Sequence, residues 1–542
     1  MKRYVLFILI FFTLVFTQET GARYLIITHD SFYEAIQPLV QWKHRKGLST
    51  KVVKLSDIGS STSQIRNYIV TAYDTWETPP EFLLLVGAPN YLPFYYYGPG
   101  WHSYYSDNYY TSVDADVYNE ILSGRLTVHS VSEAQAVVNK ILSYEMTPNI
   151  SDSLWFINAC LIVREDYDYD DSIYWSDINH AKDLMRNHGY NIIDTLSWSG
   201  GDDANDVIAA VNEGRAFVLY RGSGLNNWYP PFSVNPDQTQ NGTKLPIVLS
   251  ITCRTIGTSS TPATAEGWLL TGTPTVPRGA AGYFATTTAI SNGAYLRSAV
   301  CKGFFNALFQ EGKRTFGEAC EGARMNVYNL YGSESEYRGF TTLGDPAMTI
   351  WTAIPHPLAV SHDTLLSLED DSLLVHVECH DVPLESALVC VLLDTLVYEY
   401  GYTTSEGSIV FNFDTLIPGY MHVTVTAHNK IPSLDSIPVM STYVEDITQF
   451  KTTRFGNILV QPNPFSQETR IQYSLSQDIQ AVKIEIFDNI GRKVLQFMPD
   501  ESIGYVIWRG DDDSGNRLPS GVYFLRFSSL TAIKTIPIVL LR

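Results

Sequence analysis

The chain has 542 residues and a formal net charge of −20 at pH 7, from 37 basic and 57 acidic side chains. Its length predicts three or four domains at roughly 100 to 200 residues each, and its 45% hydrophobic content allows large cores. The acidic balance excludes general nucleic-acid binding, which needs clustered lysine and arginine. Six cysteines without a CxxC pair exclude a zinc ribbon.

The first 22 residues have the pattern of a signal peptide. Lys2 and Arg3 form a positive segment, and residues 4–16 are almost all apolar. Thr20 and Ala22 then fit a small-residue cleavage site. The apolar run is shorter than the ~20 residues that a membrane span needs, and no later segment is long and apolar enough to anchor the chain. We therefore expect an exported protein, secreted or at the cell surface, without a membrane span.

Residues 23–352 alternate apolar strands with helices. The runs that have the length of buried strands are 24–28, 82–86, 160–163, 216–220, 245–251 and 282–285. Ser130 and Glu133 have the spacing of a capping box at the start of a helix. This alternation predicts an α/β domain with a mostly parallel sheet that helices cover on both faces. In such sheets, ligands and catalytic groups gather beyond the carboxyl ends of the strands.

The pattern changes near residue 352, where Pro355 and Pro357 mark a linker. Residues 353–446 alternate polar and apolar side chains with period two, as in the run from Val375 to Cys379, which predicts a β-sandwich. A polar stretch then separates a second all-β unit, which reaches the C-terminus. The expected domains are a signal peptide (1–22), an α/β domain (23–352), a sandwich (353–446) and a C-terminal all-β domain (447–542).

Three segments place reactive side chains where strands are expected to begin or end. The run at 245–251 leads to Cys253, a candidate nucleophile, against the simpler interpretation of a small buried hydrophobe. The run at 216–220 leads to Ser223, which lies between two glycines. An acidic turn that ends at Glu120 precedes a further strand.

Together with other segments, these three resemble the gingipain-type cysteine peptidase family over residues 23–352. The matching segments are 24–28, 42–43, 47, 84–87, 106–107, 118–120, 124–125, 144–145, 245–253, 266 and 344–346. The resemblance implies a caspase-like catalytic domain that hydrolyses peptide bonds in proteins or peptides and requires no cofactor. It also implies that Cys253 is the nucleophile and that Glu120 is the acid that orients the catalytic histidine.

The position of the family's catalytic histidine is Ser223 in this chain. A thiol with an ordinary pKa of ~8.5 is only a few per cent thiolate near neutral pH, and positioned acid–base catalysis is worth roughly 10²–10⁴ in rate. His102, in an aromatic loop, is the candidate for a relocated base, against the interpretation of a solvated loop histidine. Two functions remain open: a cysteine endopeptidase with an unorthodox base, or a non-catalytic secreted or surface binding protein.

The C-terminal unit has a resemblance of its own. Residues 461–465, 486–492, 508, 515 and 520–524 resemble the Ig-like sorting domain of type IX secretion cargo and the related hook-capping-type Ig repeat. The resemblance implies the secretion machinery as a partner. It also implies that residues 353–446 are the Ig-like domain that follows the catalytic domain in gingipains, so that two Ig-like sandwiches follow the α/β domain.

Two further features are predicted from local spacing. Asp166, Asp168 and Asp170 lie in a carboxylate-rich loop and are weak calcium candidates, although the loop departs from an EF-hand; the alternative is a solvated acidic loop. Cys379 and Cys390 lie on consecutive predicted strands of an exported protein, and a disulfide between them requires Cα atoms within ~7 Å.

Overall fold

The computed structural model describes residues 19–98, 103–258, 263, 266–441, 455–475, 482–488, 492–499, 503–528 and 533–541. The chain divides into two compact units, residues 1–442 and 443–542. Most of the predicted signal peptide (1–18) and His102 lie outside the described residues.

The first part of the first unit contains twelve strands within the described residues. They are β1 (Tyr24–Thr28), β2 (Thr50–Lys54), β3 (Phe82–Val86), β4 (Tyr95–Tyr97), β5 (Tyr104–Ser106), β6 (Leu122–Leu126), β7 (Asn158–Val163), β8 (Ile192–Ser197), β9 (Phe217–Arg221), β10 (Ile247–Ile251), β11 (Gly282–Thr286) and β12 (Phe340–Leu343). β4 and β5 form an antiparallel hairpin, and the other ten strands form one sheet.

The strands of the ten-stranded sheet follow the order β2-β1-β3-β6-β12-β11-β10-β9-β7-β8. All neighbours are parallel except β12 and β11, which are antiparallel. The prediction of a mostly parallel sheet is therefore confirmed. The single antiparallel pair makes the first five strands run opposite to the last five. Consequently, the amino end of β6 and the carboxyl ends of β9, β10 and β11 lie at the same edge.

Helices cover both faces of this sheet. They are α1 (Gln37–Arg45), α2 (Leu55–Ile58), α3 (Thr62–Thr75), α4 (Asn108–Thr111), α5 (Val131–Glu145), α6 (Asp170–Asn187), α7 (Ala204–Glu213), α8 (Gly267–Leu270), α9 (Ala294–Phe309), α10 (Phe316–Tyr331) and α11 (Glu334–Gly339). Alternate residues of β1 enter different cores: Ile26 packs in one cluster and Ile27 in another. The Ser130 hydroxyl accepts a hydrogen bond from the Glu133 N–H and caps α5, as the sequence predicts.

The rest of the first unit is all β. Its strands are β13 (Ala359–Ser361), β14 (Leu366–Ser367), β15 (Ser372–Cys379), β16 (Val382–Pro383), β17 (Leu388–Leu393), β18 (Val397–Tyr402), β19 (Ser408–Asn412), β20 (Gly419–Thr426) and β21 (Ser433–Met440). They form a sheet of four strands and a sheet of five, and buried side chains of both sheets share one core. The predicted alternation is present, because Val375 and Val377 are buried while His376 and Glu378 are partly exposed.

The predicted disulfide between Cys379 and Cys390 is not formed, because both thiols are free. Cys379 ends β15 in the four-stranded sheet, whereas Cys390 lies on β17 in the five-stranded sheet. Cys390 faces the loop after α1, where a Cβ on Gly47 would lie 3.4 Å from the Cys390 Cβ. Cys379 and Cys390 are therefore close in sequence but lie in different sheets.

The second unit is also all β. Its strands are β22 (Phe455–Gln461), β23 (Thr469–Leu475), β24 (Lys483–Phe487), β25 (Lys493–Phe497), β26 (Ile503–Trp508), β27 (Gly521–Ser528) and β28 (Ile533–Leu540). Two sheets, β22-β23-β26 and β25-β24-β27-β28, share a core around Trp508. None of the helices in the described parts of either unit is long and apolar enough to cross a membrane.

Candidate active site

Cys253 and Ser223 follow adjacent parallel strands, as the sequence predicts. β10 pairs with β9 in a register that aligns Ile251 with Arg221. Cys253 and Ser223 each come two residues after this aligned pair. Their side chains therefore start from neighbouring positions at the edge where the carboxyl ends of β9 and β10 meet.

The backbone around these two residues is tightly constrained. Arg254 has a φ of +32°, an uncommon conformation for a residue other than glycine, and its N–H donates to the Thr288 carbonyl at 2.8 Å. Gly222 has a φ of +147°, and a Cβ there would lie 2.6 Å from the Arg164 carbonyl oxygen. Only glycine fits at position 222, so the strand end that carries Ser223 packs directly on the strand end of β7.

The hydrogen-bond partner of the Cys253 thiol is Arg297, from the first turn of α9. The Arg297 Nη1 lies 3.0 Å from the Cys253 Sγ, and the Arg297 Nε lies 3.4 Å from the Glu336 Oε2. Burial acts to lower the pKa of Arg297, but the Glu336 carboxylate and Cys253 outweigh it and raise the pKa. The guanidinium therefore stays charged beside the sulfur. It can stabilise a thiolate, but it cannot take up or deliver a proton.

The hydroxyl of Ser223 points to an acid on a neighbouring loop. It donates to the Asp166 Oδ2 at 2.6 Å, and the Tyr174 hydroxyl donates to the same oxygen at 3.3 Å. Asp166 also forms an ion pair with Arg164. Asp166 follows β7, which is the direct neighbour of β9. The acid that could orient a side chain at position 223 is thus Asp166.

The contacts of Glu120 differ from those that its sequence-based assignment requires. The Glu120 carboxylate accepts a hydrogen bond from the Val113 N–H at 2.6 Å, just before the amino end of β6. That end shares an edge with Ser223, but β12, β11 and β10 lie between β6 and β9, which is four strand spacings of about 4.8 Å. Sequence order alone hides this separation, because β12, late in the chain, inserts next to β6. The acid bonded to Ser223 is Asp166, and the role of Glu120 stays a prediction.

No histidine of the described residues bonds to the side chain of Cys253 or Ser223. The two described histidines closest in sequence, His180 and His188, bond to Asn306 and to the Leu184 carbonyl instead. His102, the predicted alternative base, lies outside the described residues.

The calcium candidates bond to the backbone of their own loop. Asp168 accepts a hydrogen bond from the Asp170 N–H at 2.8 Å, and Asp171 accepts one from the Asp166 N–H at 2.7 Å. Partial burial, followed by the charge of Asp168, raises the pKa of Asp170. Among the described residues, no group of three or more His, Cys, Asp or Glu side chains could hold a metal ion. Calcium binding by this loop stays a prediction.

Sequence reasoning missed three residues of the site. Asp166 was available as an acid directly after an apolar strand, but the acidic run around it pointed to calcium. Arg297 follows the carboxyl end of β11, a position where the edge rule for parallel strands applies. Glu336 carried no signal, since it reaches the site only because β12 runs antiparallel to β11.

Comparison with known proteins agrees with this architecture. Residues 17–351 match the model of peptidase family C25, and residues 459–540 match that of the secretion system C-terminal sorting domain. Gingipain R1 of Porphyromonas gingivalis is 24% identical over 430 residues, 76% of this chain and 42% of the relative. Gingipain R2 of the same organism is 23% identical over 459 residues, 81% of this chain and 60% of the relative. The chain thus spans less than two thirds of either relative.

Solved structures show the same fold. The Arg-specific cysteine proteinase gingipain R (RgpB) has a TM-score of 0.69 at 21% identity, covering 78% of this chain and 99% of that chain. The complex of the RgpB pro- and mature domains of P. gingivalis has a TM-score of 0.68 at 20% identity, covering 77% and 100%. The α/β part therefore has the caspase-like gingipain fold. Since the family model matches more than half of the length of the chain, the chain belongs to peptidase family C25.

Proposed function

We propose that this chain is a secreted or cell-surface member of family C25 that binds protein or peptide segments beside Cys253 without efficient hydrolysis. One observation carries the proposal. Ser223, at the position of the family's histidine, is bonded to Asp166, and the thiol is bonded to Arg297. Arg297 cannot accept a proton from the thiol, and the Asp166 carboxylate is bonded to Ser223 rather than to the thiol.

The chemistry of peptide hydrolysis explains why this matters. A thiolate attacks the peptide carbonyl, and the leaving amine must then receive a proton. Arg297 favours the thiolate through a charge-assisted hydrogen bond, but its guanidinium remains protonated throughout. Without a positioned acid and base, the rate should fall by roughly 10²–10⁴. Binding of a peptide in the cleft does not need that proton transfer.

A second candidate is an active cysteine endopeptidase whose base lies outside the described residues. The observation in its favour is the retained thiol at the end of β10, next to a buried cation. His102 is the residue to test first. The substrates would then be proteins or peptides, as in the gingipains.

The test compares the full chain with Cys253→Ala on a pool of fluorogenic peptides under reducing conditions. We expect both proteins to bind peptides and neither to cleave them at an enzymatic rate. Cleavage by the wild type at ~1–10³ per second, absent from Cys253→Ala, would contradict the proposal. In that event, a loss of ~10² or more in His102→Ala, but not in the control His188→Ala, would identify the base.

We further infer that residues 1–22 are a signal peptide, that residues 353–446 form an Ig-like sandwich, and that the C-terminal unit directs export through the secretion machinery. The match of residues 459–540 to a sorting domain and the two sheets around one core support these assignments. Deletion of residues 447–542 should retain the protein inside a bacterium that has this secretion system. Equal amounts of full-length and truncated protein in the medium would contradict the inference.

A further inference from the structure

A cavity of about 320 Å³ lies between the α/β part and the all-β part of the first unit. On one side it is lined by α1, the start of β3, the amino end of α10 and the segment after β12; on the other side it is lined by β17, β18 and the end of β20. None of its described lining residues belongs to the Cys253 site. Its volume lies in the range of pockets that bind small molecules.

The walls of the cavity are largely apolar and aromatic. They include Trp42, Leu48, Phe82, Trp351, Leu388 and Tyr402. Trp42 and Trp351 are 3% and 2% exposed and are therefore fixed by packing on nearly all faces, whereas Phe82, Leu388 and Tyr402 present more accessible surface. Rigid apolar walls of this kind favour a ligand with an aromatic or aliphatic body.

The charges around the cavity leave an excess of positive groups. Arg23 is paired with Glu81, its Nε lying 2.7 Å from the Oε1. Lys46 is paired with Glu145, and the Lys46 Nζ lies 2.5 Å from the Oε1. The Glu318 carboxylate accepts the Thr315 N–H at 2.9 Å as part of the α10 cap.

Arg314 and Lys430 also line the cavity, and neither side chain forms an ion pair within the described part of the chain, although the Arg314 backbone N–H donates to the Glu318 carboxylate at 3.1 Å. Burial, followed by the charges of Arg314 and Lys430, lowers the pKa of His428 to about 4, and both cations line the cavity beside this imidazole. His428 is therefore neutral at pH 7, and its buried Nδ1 has no hydrogen-bond partner among the described residues. The side chains of Arg314 and Lys430 and the Nδ1 of His428 therefore lie beside the apolar wall of the cavity, and none of them has a partner among the described side chains.

We propose that this cavity binds a small organic anion: a carboxylate that pairs with Arg314 and Lys430 and carries an aromatic or aliphatic body that packs on Phe82 and Leu388. Two side chains with opposite positions across the cavity can share one carboxylate through charge-assisted hydrogen bonds. The apolar part of the lining favours an anion with an organic body over a free phosphate, because a phosphate would leave these apolar walls uncovered.

The test titrates 3-phenylpropanoate into the full chain and follows binding by calorimetry and by tryptophan fluorescence. The neutral probe 3-phenylpropanamide keeps the shape and removes the charge, while inorganic phosphate keeps a charge and removes the apolar body. We expect saturable binding of the carboxylate with a Kd of about 1 mM or below, and at least about tenfold weaker binding of the other two probes. Equal affinity of the amide or of phosphate would overturn the proposal, as would no saturable carboxylate binding up to about 10 mM.

Variants locate the site. Arg314→Gln and Lys430→Gln should each weaken carboxylate binding by about five- to tenfold and leave amide binding unchanged. Lys313→Gln is the matched control, since Lys313 is exposed, adjacent to Arg314 and absent from the cavity lining. Leu388→Trp should fill the cavity and remove binding of both organic probes. Unchanged carboxylate affinity in both glutamine variants would overturn the assignment, and the comparison of probes on the wild type decides the proposal even if a variant fails to fold.

Discussion

Replacing Ser223 with histidine should restore a proton-transferring group between Asp166 and Cys253. The Ser223 hydroxyl already lies 2.6 Å from the Asp166 Oδ2, so an imidazole at this position finds an acceptor for its Nδ1. β9 and β10 are adjacent and parallel, with a spacing of about 4.8 Å, and Cys253 and position 223 each follow the last aligned pair by two residues. The second ring nitrogen would therefore face the thiol.

The expected gain in peptide hydrolysis is roughly 10²–10⁴, or about 3 to 5 kcal/mol in the activation free energy. Hydrolysis of fluorogenic peptides and alkylation of the thiol by iodoacetamide near pH 7 are the two assays. Both should quicken, because an imidazolium beside the sulfur increases the fraction of thiolate. Ser223→Asn is the control of similar size that cannot shuttle a proton, and Cys253→Ala in the Ser223→His background should abolish the gain.

The same background separates the two candidate acids. Asp166→Asn should remove most of the gain, whereas Glu120→Gln should leave it intact, since the Glu120 carboxylate is bonded to the Val113 N–H. The reverse outcome would show that Glu120, and not Asp166, is the acid that orients the side chain at position 223. A folded Ser223→His protein with neither faster alkylation nor cleavage would refute the argument that one side chain is all the cleft lacks.

Three further predictions concern single contacts. Arg297→Met should slow iodoacetamide alkylation of Cys253 about tenfold, because a charge-assisted hydrogen bond worth ~1.5–3 kcal/mol is lost; equal rates would show that the bond does not favour the thiolate. Burial raises the pKa of Glu266 from its ordinary 4.5 to about 7, so its contribution to stability is present at low pH and is lost as the pH rises from 4.5 to about 7. Glu266→Gln should therefore gain up to about 3 kcal/mol over the wild type between pH 5 and pH 8 in denaturant unfolding, and a constant difference would contradict this. Lys43→Met removes the cation that pairs with the buried carboxylates of Glu145 and Asp345, and it should lower the unfolding free energy by about 3–5 kcal/mol. Lys51→Met, at a partly exposed pair, should lower it by under ~1 kcal/mol.

Several sequence motifs that pointed to the family turn out to be structural. Lys43 forms ion pairs with Glu145 at 2.6 Å and with Asp345 at 2.5 Å, and all three side chains are buried. This network ties α1 and α5 to the loop after β12. Each of the three residues lies in a segment that suggested the family. Such motifs identify a fold through its buried polar network. They do not show whether a chain with that fold has catalytic activity.

The order of the strands in the sheet could not be predicted from the sequence. That order determined which residues of the site were predicted. Apolar runs predicted β9 and β10 to within a residue or two, because a strand buried on both faces is apolar along its whole length. The pairing of Cys253 with Ser223 followed from those two strands. The positions of Glu336 and Glu120 both depended on the insertion of β12 between β6 and β11, a long-range pairing that leaves no local pattern.

The guanidinium beside Cys253 has a consequence for how the thiol responds to acidity. In a thiol–imidazole pair, the counter-charge disappears as the imidazole titrates near pH 6.5, and the reactivity of the sulfur reflects two ionisations. Arg297, whose Nε lies 3.4 Å from the Glu336 Oε2, keeps its charge at every pH at which the protein is folded. Cys253 therefore has a permanent cation beside it, whereas the cation of a thiol–imidazole pair comes and goes with the pH.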